Sequence, residues 1–190
     1  MPSPRPLRAD ARRNREALLT AAREALMADD DVHVEEIARR AGVAIGTLYR
    51  HFDTREALIA EVYRREVAEL CTTPARLLAQ QPPEEALRTF LLLLVEHAAV
   101  GRGMGEALES IMATDSPVFG EARERMAAAL DELLVTGAAA GVVRDGVSGR
   151  LVLRALGGIC GMRTTGWKDD AVTIATILYD GLRHRTTDHP

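Results

Sequence analysis

Residues 35–52, EEIARRAGVAIGTLYRHF, set the strongest limit on how this chain can fold. Two short runs with helical apolar spacing are joined by Ala-Gly-Val at 41–43, so the backbone must reverse within three residues. Ala38 is small enough for a close helix crossing, Gly42 accepts a left-handed backbone, and Leu48 follows as an apolar anchor. This spacing predicts a helix-turn-helix. Its expected core is completed by Ile37, Val43 and Phe52.

The second of these runs carries hydrogen-bond donors but no carboxylate on its predicted outer face. Hydroxyls can donate to phosphate oxygens, arginine can address guanine in the major groove, and isoleucine can contact a thymine methyl. A carboxylate would be repelled by the phosphates, so this face favours DNA as the partner. An exposed helix can also lack acids by chance over eight residues, and the helix alone leaves that alternative open. The expected outer face consists of Ile45, Gly46, Thr47, Tyr49, Arg50 and His51.

The net charge of −4 is unusual for a nucleic-acid-binding protein, but the charge is unevenly distributed. Residues 1–65 carry 12 arginines against 11 acids, whereas the remainder carries 12 Lys and Arg against 17 acids. Basic charge is therefore local, as expected when one end of a protein meets a polyanion. The first fifteen residues hold Arg5, Arg8, Arg12, Arg13 and Arg15 against Asp10.

The rest of the chain shows helical rather than strand periodicity, and aromatic residues are only 4%. We expect an all-α protein of about nine helices. A Pro-rich, basic arm over residues 1–8 is expected to precede a helix-turn-helix domain over 9–55 and a larger helical domain over 56–190. The expected helices are 9–28, 34–41, 45–52, 55–71, 84–100, 106–113, 117–140, 150–162 and 170–183. Asp53-Thr54 is expected to cap the start of the fourth helix and Thr72-Thr73-Pro74 to end it, with residues 75–80 left open between helix and loop. The apolar faces expected to be buried are Leu18, Leu19, Ala22, Ala25 and Leu26 in the first helix, Leu58, Ile59 and Val62 in the fourth, and Phe119, Ala122, Met126, Leu130 and Leu133 in the helix over 117–140.

The segment VEEIARRAGVAIGTLYRHFDTREALIAEVY, Val34–Tyr63, closely resembles the DNA-binding domain of the TetR family of bacterial transcriptional regulators. The resemblance covers about the first third of the chain. It implies a three-helix DNA-binding domain followed by a helical domain for effector binding and dimerisation. It also implies phosphate and groove contacts from Thr47, Tyr49 and His51, and a phosphate contact from Arg55, where the family usually has Lys. Ile45, Gly46 and Arg50 would occupy the positions that set operator choice.

Two residues depart from the family pattern at helix starts. His33 stands where a Thr commonly caps the second helix, and Ala44 stands where a Ser commonly caps the recognition helix. A lost cap costs about 1 kcal/mol. Ala44 would also lack the phosphate contact of the usual serine, so the affinity for DNA stays an open question while the mode of binding is expected to be kept.

Apolar residues in the second half can form either an effector pocket or an ordinary helical core. The resemblance favours the pocket, with His97 as a polar handle, but a structural histidine remains an equal alternative. Trp167 is expected either to line the pocket or to anchor the last helix, and the sequence does not decide between these roles. The candidate pocket residues are Phe90, Leu94, His97, Met104, Leu108, Met112, Phe119, Met126, Leu130 and Trp167.

The last two predicted helices resemble the pair that forms four-helix dimer interfaces in this family. Gly157, Gly158 and Gly161 would allow close helix approach, or would loosen the helix. In the final helix, Ile174, Ile177, Leu178 and Leu182 are expected to point inward. We therefore expect a homodimer through these helices, reading double-stranded DNA at a palindromic operator, with a small-molecule effector.

The resemblance implies a repressor that a small, largely apolar effector releases from its operator, and two other functions are alternatives to it. A small helical enzyme is disfavoured because no phosphate-binding loop, His-x-x-x-His, Cys-x-x-Cys or nucleophile elbow is found. A helix-turn-helix used for protein contacts is mildly disfavoured by the basic arm. We expect no cofactor or metal, since Cys71 and Cys160 are far apart without ligand companions. No apolar run approaches a membrane span of about 18 residues and no signal peptide is recognised, so we expect a cytoplasmic protein.

Overall fold

The computed structural model describes residues 5–28, 33–104, 117–160 and 165–183 of the chain. These residues form eight α-helices and no β-strand. The predicted all-α class is therefore confirmed, while the short helix predicted over 106–113 lies outside the described residues. The helices are α1 (Arg5–Ala28), α2 (Val34–Arg40), α3 (Ile45–His51), α4 (Arg55–Gln80), α5 (Pro83–Gly103), α6 (Pro117–Ala139), α7 (Gly149–Cys160) and α8 (Trp167–Leu182).

The chain divides into two compact units. The first comprises residues 1–65 and 100–116, and the second comprises residues 66–99 and 117–190. The division falls inside α4 and inside α5, so neither unit corresponds to one uninterrupted stretch of chain. The predicted domain boundary after residue 55 stays a prediction.

Helix α1 begins at Arg5, four residues before the predicted start, so the predicted arm over residues 1–8 is partly helical. Proline at position 6 is compatible with this start, because N–H groups in the first helical turn have no intrahelical acceptor. The predicted inner stripe of α1 is confirmed, since every member is at most 3% exposed. It consists of Leu18, Leu19, Ala22, Ala25 and Leu26.

The turn between α2 and α3 follows from one glycine. Gly42 has φ +68°, and its N–H donates to the carbonyl of Arg39 over 3.2 Å. The N–H of Val43 donates to the carbonyl of Ala38 over 3.0 Å. These two bonds form a Schellman motif, which satisfies the last carbonyls of α2 and needs a left-handed residue at its centre. The predicted role of Gly42 is confirmed.

Helix α4 continues through Thr72-Thr73-Pro74, so the predicted helix end at this segment is wrong. Proline removes one helical hydrogen bond, which normally costs about 3 kcal/mol. Here the hydroxyls of Thr72 and Thr73 both donate to the carbonyl of Glu69, over 2.9 and 3.0 Å. Leu70 and Leu77 on the same helix are buried, and packing of this kind outweighs the local helix-breaking tendency.

The start of α4 is capped as the sequence predicted. The hydroxyl of Thr54 accepts a hydrogen bond from the N–H of Ala57 over 3.1 Å. This is the arrangement of an N-cap residue and the third helical residue. The inward residues predicted for this helix are also confirmed, since all are at most 2% exposed: Leu58, Ile59 and Val62.

In the second unit, α6 packs against α7 and α7 packs against α8. The predicted buried face of α6 is confirmed for Ala122, Met126, Leu130 and Leu133. The prediction for α8 is only partly right. Leu182 is buried and Ile174 and Leu178 are half-buried, but Ile177 is 62% exposed. The small side chains of Ala171 and Ala175 take the inner face instead.

Candidate nucleic-acid interface

The outer face of α3 is open to solvent while its inner face is fully buried. Tyr49 is 46% exposed and Ile45 is 38% exposed, whereas Leu48 between them is 0% exposed. Ala44, Gly46 and Arg50 are also exposed, and Thr47 and His51 are half-buried. Every predicted residue of this helix is thus at least partly accessible to a partner.

Helix α3 is held from below by α1 and α2, both of which contact it. Leu48, Phe52 and Ile37 are at most 4% exposed and form the predicted miniature core. Val43, predicted in the same core, is half-buried. Fixing a short helix on a buried base in this way leaves its outer side chains free to meet a partner without reorganising the domain.

The two predicted cap losses are confirmed. His33 and Ala44 both have the extended backbone of an N-cap residue, yet neither side chain makes a capping hydrogen bond. At the start of α3, the carbonyl of Ala44 accepts from the N–H of Thr47 over 2.8 Å. Only the side-chain component of the cap is lost, which explains why the helix still begins at Ile45.

Arg55 is the first residue of α4 and is half-buried. Its position follows directly from the Thr54 cap, which sets where the helix starts. Arg55 therefore begins a new helix four residues after His51, which ends α3.

Several arginines of the first unit are committed to internal ion pairs, which the sequence pattern did not reveal. Glu36 accepts hydrogen bonds from Arg39 and Arg40, over 2.6 to 2.7 Å. These bonds lower the pKa of Glu36 to about 2, and the bond from Arg39 has the largest effect. Arg13 pairs with Asp10. The basic charge counted in the sequence is thus partly neutralised within the fold.

Arg15 is a larger departure from the prediction. The sequence predicts that Arg15 meets a polyanion together with the other N-terminal arginines. In the structure, however, its Nη2 atom lies 2.8 Å from Oε1 of Glu61 on α4. Its guanidinium carbon also lies 5.2 Å from the centre of the Phe52 ring. Pairs between residues this far apart in sequence leave no periodic signal, which is why sequence reasoning missed this one.

The candidate pocket residues are not all placed by the structure. Leu108 and Met112 lie outside the described residues, and the side chain of Phe119 is not described. Met104 is fully buried but belongs to the first unit. In the second unit, Phe90, Leu94, Met126 and Leu130 are buried, and His97 and Trp167 are half-buried.

Leu130 and His97 show how different these candidates are. The Cβ atom of Leu130 lies close against Gly149, so packing between α6 and α7 contributes to its burial. His97 lies in a protein environment that lowers its pKa to about 4 through burial. Its imidazole is therefore neutral at neutral pH and can both donate and accept a hydrogen bond.

A salt link brings the start of α8 to the part of α5 that carries His97. The Nζ atom of Lys168 lies 2.9 Å from Oε2 of Glu96. Lys168 directly follows Trp167, and Glu96 directly precedes His97. Trp167 is the first residue of α8, which begins three residues earlier than predicted, after Gly166 with φ +78°.

The described residues also bear on two other kinds of site. Among the described residues, no group of three or more His, Cys, Asp and Glu side chains is placed to hold a metal ion. Within the same part of the chain, none of the helices combines the length and apolarity that crossing a membrane requires.

The fold and the α3 surface together define a helix-turn-helix DNA-binding regulator. Residues 18–62 match the family described as "Bacterial regulatory proteins, tetR family". Residues 82–184, more than half of the chain, match "Transcriptional regulator SbtR-like, C-terminal domain". The chain belongs to the TetR family of transcriptional regulators, and its resemblance at Val34–Tyr63 is confirmed.

Two solved structures extend this likeness over nearly the whole chain. A TetR transcriptional regulator from Streptomyces coelicolor is 38% identical, with a TM-score of 0.78 over 90% of this chain and 99% of that one. A TetR transcription regulatory protein from Mycobacterium vanbaalenii is 34% identical, with a TM-score of 0.70 over 93% of this chain and 99% of that one.

A curated relative matches over a shorter stretch. An HTH-type transcriptional regulator from Staphylococcus aureus (strain MRSA252) is 32% identical over 66 residues, which is 33% of this chain. The chain spans only 35% of that relative's length. The family models and the two solved structures, rather than this partial match, show that the protein is a transcriptional regulator.

Proposed function

We propose that the protein is a homodimeric transcriptional repressor that binds a palindromic operator and is released by a small, largely apolar effector. The observation that carries the proposal is the outer face of α3, where Tyr49 and Ile45 are exposed above the fully buried Leu48. A rigidly seated helix with exposed donors and no carboxylate is suited to the major groove of DNA.

The side chains of α3 divide into two kinds of contact. Thr47, Tyr49 and His51 donate to phosphate oxygens or face the groove, and Arg55 adds a phosphate contact from α4. Arg50 reads guanine, and Ile45 contacts a thymine methyl. Gly46 lies between them with an open surface, since a Cβ atom there would meet nothing within 4 Å. DNA can therefore approach the backbone of α3 closely at this position.

The proposed dimer interface lies on α7 and α8. Leu151 on α7 is 57% exposed and Ile177 on α8 is 62% exposed, which leaves two large aliphatic side chains on the surface. Gly157, Gly158 and Gly181 on the same helices would meet nothing within 4 Å if they carried a Cβ atom. A second copy can thus approach the backbone closely, and burying each aliphatic side chain contributes roughly 1.5–3 kcal/mol.

The proposed effector site lies in the second unit, at the end of α5 that carries His97. Phe90 and Leu94 on the same helix are buried, so the surroundings favour an apolar compound. The neutral imidazole of His97 suits an uncharged polar group on that compound. Release from DNA requires that the effector binds the DNA-incompetent state better than the DNA-bound state. The effector can shift the equilibrium between the two states only by the difference between its two binding free energies.

The dimer is tested by placing a charge on the proposed interface. Ile177→Glu and Leu151→Glu should each convert the dimer to a monomer in analytical ultracentrifugation and weaken binding to a palindromic duplex. Val135→Glu is the matched control, because Val135 is also an exposed aliphatic residue, 68% exposed, but belongs to α6 and not to the two helices of the proposed interface. Dimers that survive both interface substitutions would refute the proposed interface.

The effector site is tested with the intrinsic fluorescence of Trp167, the single tryptophan of the sequence. A library of small apolar compounds is screened for a change in emission, and each hit is then tested for release of bound duplex DNA. His97→Gln should weaken binding of hits that carry a hydrogen-bonding group. Hits that release DNA with unchanged affinity for the His97→Gln protein would place the effector elsewhere.

A further inference from the structure

Five charged side chains form a cluster between α1 and α4 in the first unit. We refer to this set as the α1–α4 charge cluster; it consists of Arg15, Glu16, Glu61, Arg64 and Arg65. Glu61 is its centre, since its side chain is only 15% exposed and contacts three arginines. Oε1 of Glu61 lies 2.8 Å from Arg15 and 3.9 Å from Nε of Arg65.

The cluster has a second, more peripheral pair. Arg65 donates to Oε1 of Glu16 over 2.8 Å. This bond lowers the pKa of Glu16 and raises that of Arg65. Both carboxylates contact Arg65, but of the two only Glu61 forms an ion pair with Arg15. That difference allows the two acids to be compared experimentally.

Arg15 connects the cluster to the end of the recognition helix. Its guanidinium lies over the ring of Phe52, 5.2 Å from the ring centre. Phe52 is the C-cap of α3, with its N–H donating to the carbonyl of Leu48 over 2.9 Å, and it is 4% exposed. Arg15 is therefore held between a carboxylate on α4 and the residue that ends α3.

We infer that Arg15 and Glu61 form a positioning pair that fixes the recognition helix for DNA binding, and that Arg15 is not a phosphate contact. Glu61 pairs with the guanidinium and the Phe52 ring lies against one face of it, which holds the half-buried Arg15 side chain against the helix-turn-helix. Its side chain is 35% exposed, against 71% for Arg13 on the same helix. The inference rests on the DNA binding of this family, and it adds a role for residues outside the DNA-contacting surface.

The alternative role for Arg15 predicts effects of opposite sign. If Arg15 contacted a phosphate, Glu61 would compete for it, and Glu61→Gln would strengthen DNA binding. If Arg15 positions Phe52 through Glu61, the same substitution weakens specific binding, because the charge that holds the guanidinium is lost. The amide keeps the shape and the hydrogen-bond acceptor of the carboxylate, so the substitution mainly removes charge.

The experiment measures binding of the full-length protein to two duplexes between 50 and 200 mM salt. One duplex is a sequence enriched by the wild-type protein, and the other is a scrambled sequence of equal length. We expect Glu61→Gln and Arg15→Gln to lower affinity for the enriched duplex roughly three- to tenfold, with scrambled-duplex affinity and salt dependence unchanged. A lost phosphate contact would instead reduce the slope of log K against log salt by about 0.9 for each protomer, or about 1.8 for the proposed dimer.

Two matched controls separate position from charge. Glu16→Gln removes one negative charge from the same cluster and leaves the Arg15–Glu61 ion pair in place, so it should keep wild-type discrimination between the duplexes. Arg13→Gln removes one positive charge from the same helix, and it controls for the effect of net protein charge on DNA affinity. Equal effects of Glu16→Gln and Glu61→Gln would overturn the inference, as would tighter binding by Glu61→Gln or a reduced salt slope for Arg15→Gln.

Folding is checked separately, so that an unfolded variant is not mistaken for a positioning effect. Circular dichroism gives the helix content, and titration at high DNA concentration gives the active fraction to which affinities are normalised. Altered melting with unchanged discrimination between duplexes would overturn the inference by showing a purely structural pair. Failure of the wild-type protein to enrich any duplex would count against the proposed operator binding, not against the pair.

Discussion

The backbone N–H of Gly149 donates to Oδ1 of Asp131 over 2.6 Å, which joins the first residue of α7 to the middle of α6. The contact is so close that a Cβ atom on Gly149 would overlap the carbonyl oxygen of Ala127 and lie 3.0 Å from Cβ of Leu130. Ser148 completes the helix start, since its hydroxyl accepts from the N–H of Leu151 over 3.3 Å. The orientation of the proposed dimer helix α7 therefore depends on a residue without a side chain.

Gly149→Ala is expected to destabilise the protein by about 1–3 kcal/mol, because the added methyl meets backbone atoms that cannot move aside. For a protein of this size, we expect thermal unfolding to fall by roughly 3–10 °C, measured by circular dichroism. Gly120→Ala on α6 is the matched control, since a Cβ atom there would meet nothing within 4 Å. A Gly149→Ala protein as stable as wild type would contradict the close contact.

Ala44→Ser is expected to stabilise the protein and to strengthen DNA binding. Ala44 already has the extended N-cap backbone, φ −68° and ψ 147°, and lacks only a side-chain acceptor. A serine at this position should add about 1 kcal/mol of stability and donate to a phosphate oxygen. Unfolding temperature and affinity for an enriched duplex give the two readouts. His33→Thr, which restores a cap on α2, should raise only the stability.

Arg50→Ala is expected to relax sequence specificity at one base pair of each half-site. If Arg50 reads guanine, its removal should weaken binding by about 1–3 kcal/mol for duplexes with guanine at that position. Binding to duplexes with another base there should change little. The measurement is binding to a set of duplexes that differ at single positions. A uniform loss across all sequences would instead assign Arg50 to the phosphate backbone.

The stability of the folded protein at acidic pH should depend on the protonation of His97. Burial lowers the pKa of this imidazole from 6.5 to about 4, so the unfolded chain binds its proton more readily than the folded protein. The stability should therefore fall as the pH drops from about 6.5 to about 4. His97→Gln should flatten this part of the pH profile of urea unfolding. Identical slopes for both proteins in that window would contradict the assigned burial.

The parts of the fold that depend on neighbouring residues could be predicted from the sequence. Gly42, Leu48 and the Thr54 cap are set by contacts within a few residues, so their spacing alone specified the helix-turn-helix. The continuation of α4 through Pro74 could not be predicted, because burial of Leu70 and Leu77 outweighs the local preference.

The candidate site shows the same division. The outer face of α3 follows from helical periodicity once Leu48 is placed inward. The pairing of Arg15 with Glu61 does not, because it joins residues 46 positions apart and has no periodic signal. Ile177 was expected inward because an apolar stripe looks alike whether it faces the core of one chain or a second copy. Periodicity also cannot separate a core residue from a pocket residue, so the effector site remains a proposal.

The most direct measurement is selection of bound sequences from a random duplex pool with the purified protein at near-physiological salt. We predict enrichment of a palindrome with half-sites about one helical turn, ~34–36 Å, apart or a multiple of it, and relaxation of one base pair in each half-site with Arg50→Ala. A folded, dimeric protein that enriches no sequence, with or without apolar compounds that bind it, would contradict the operator-binding claim.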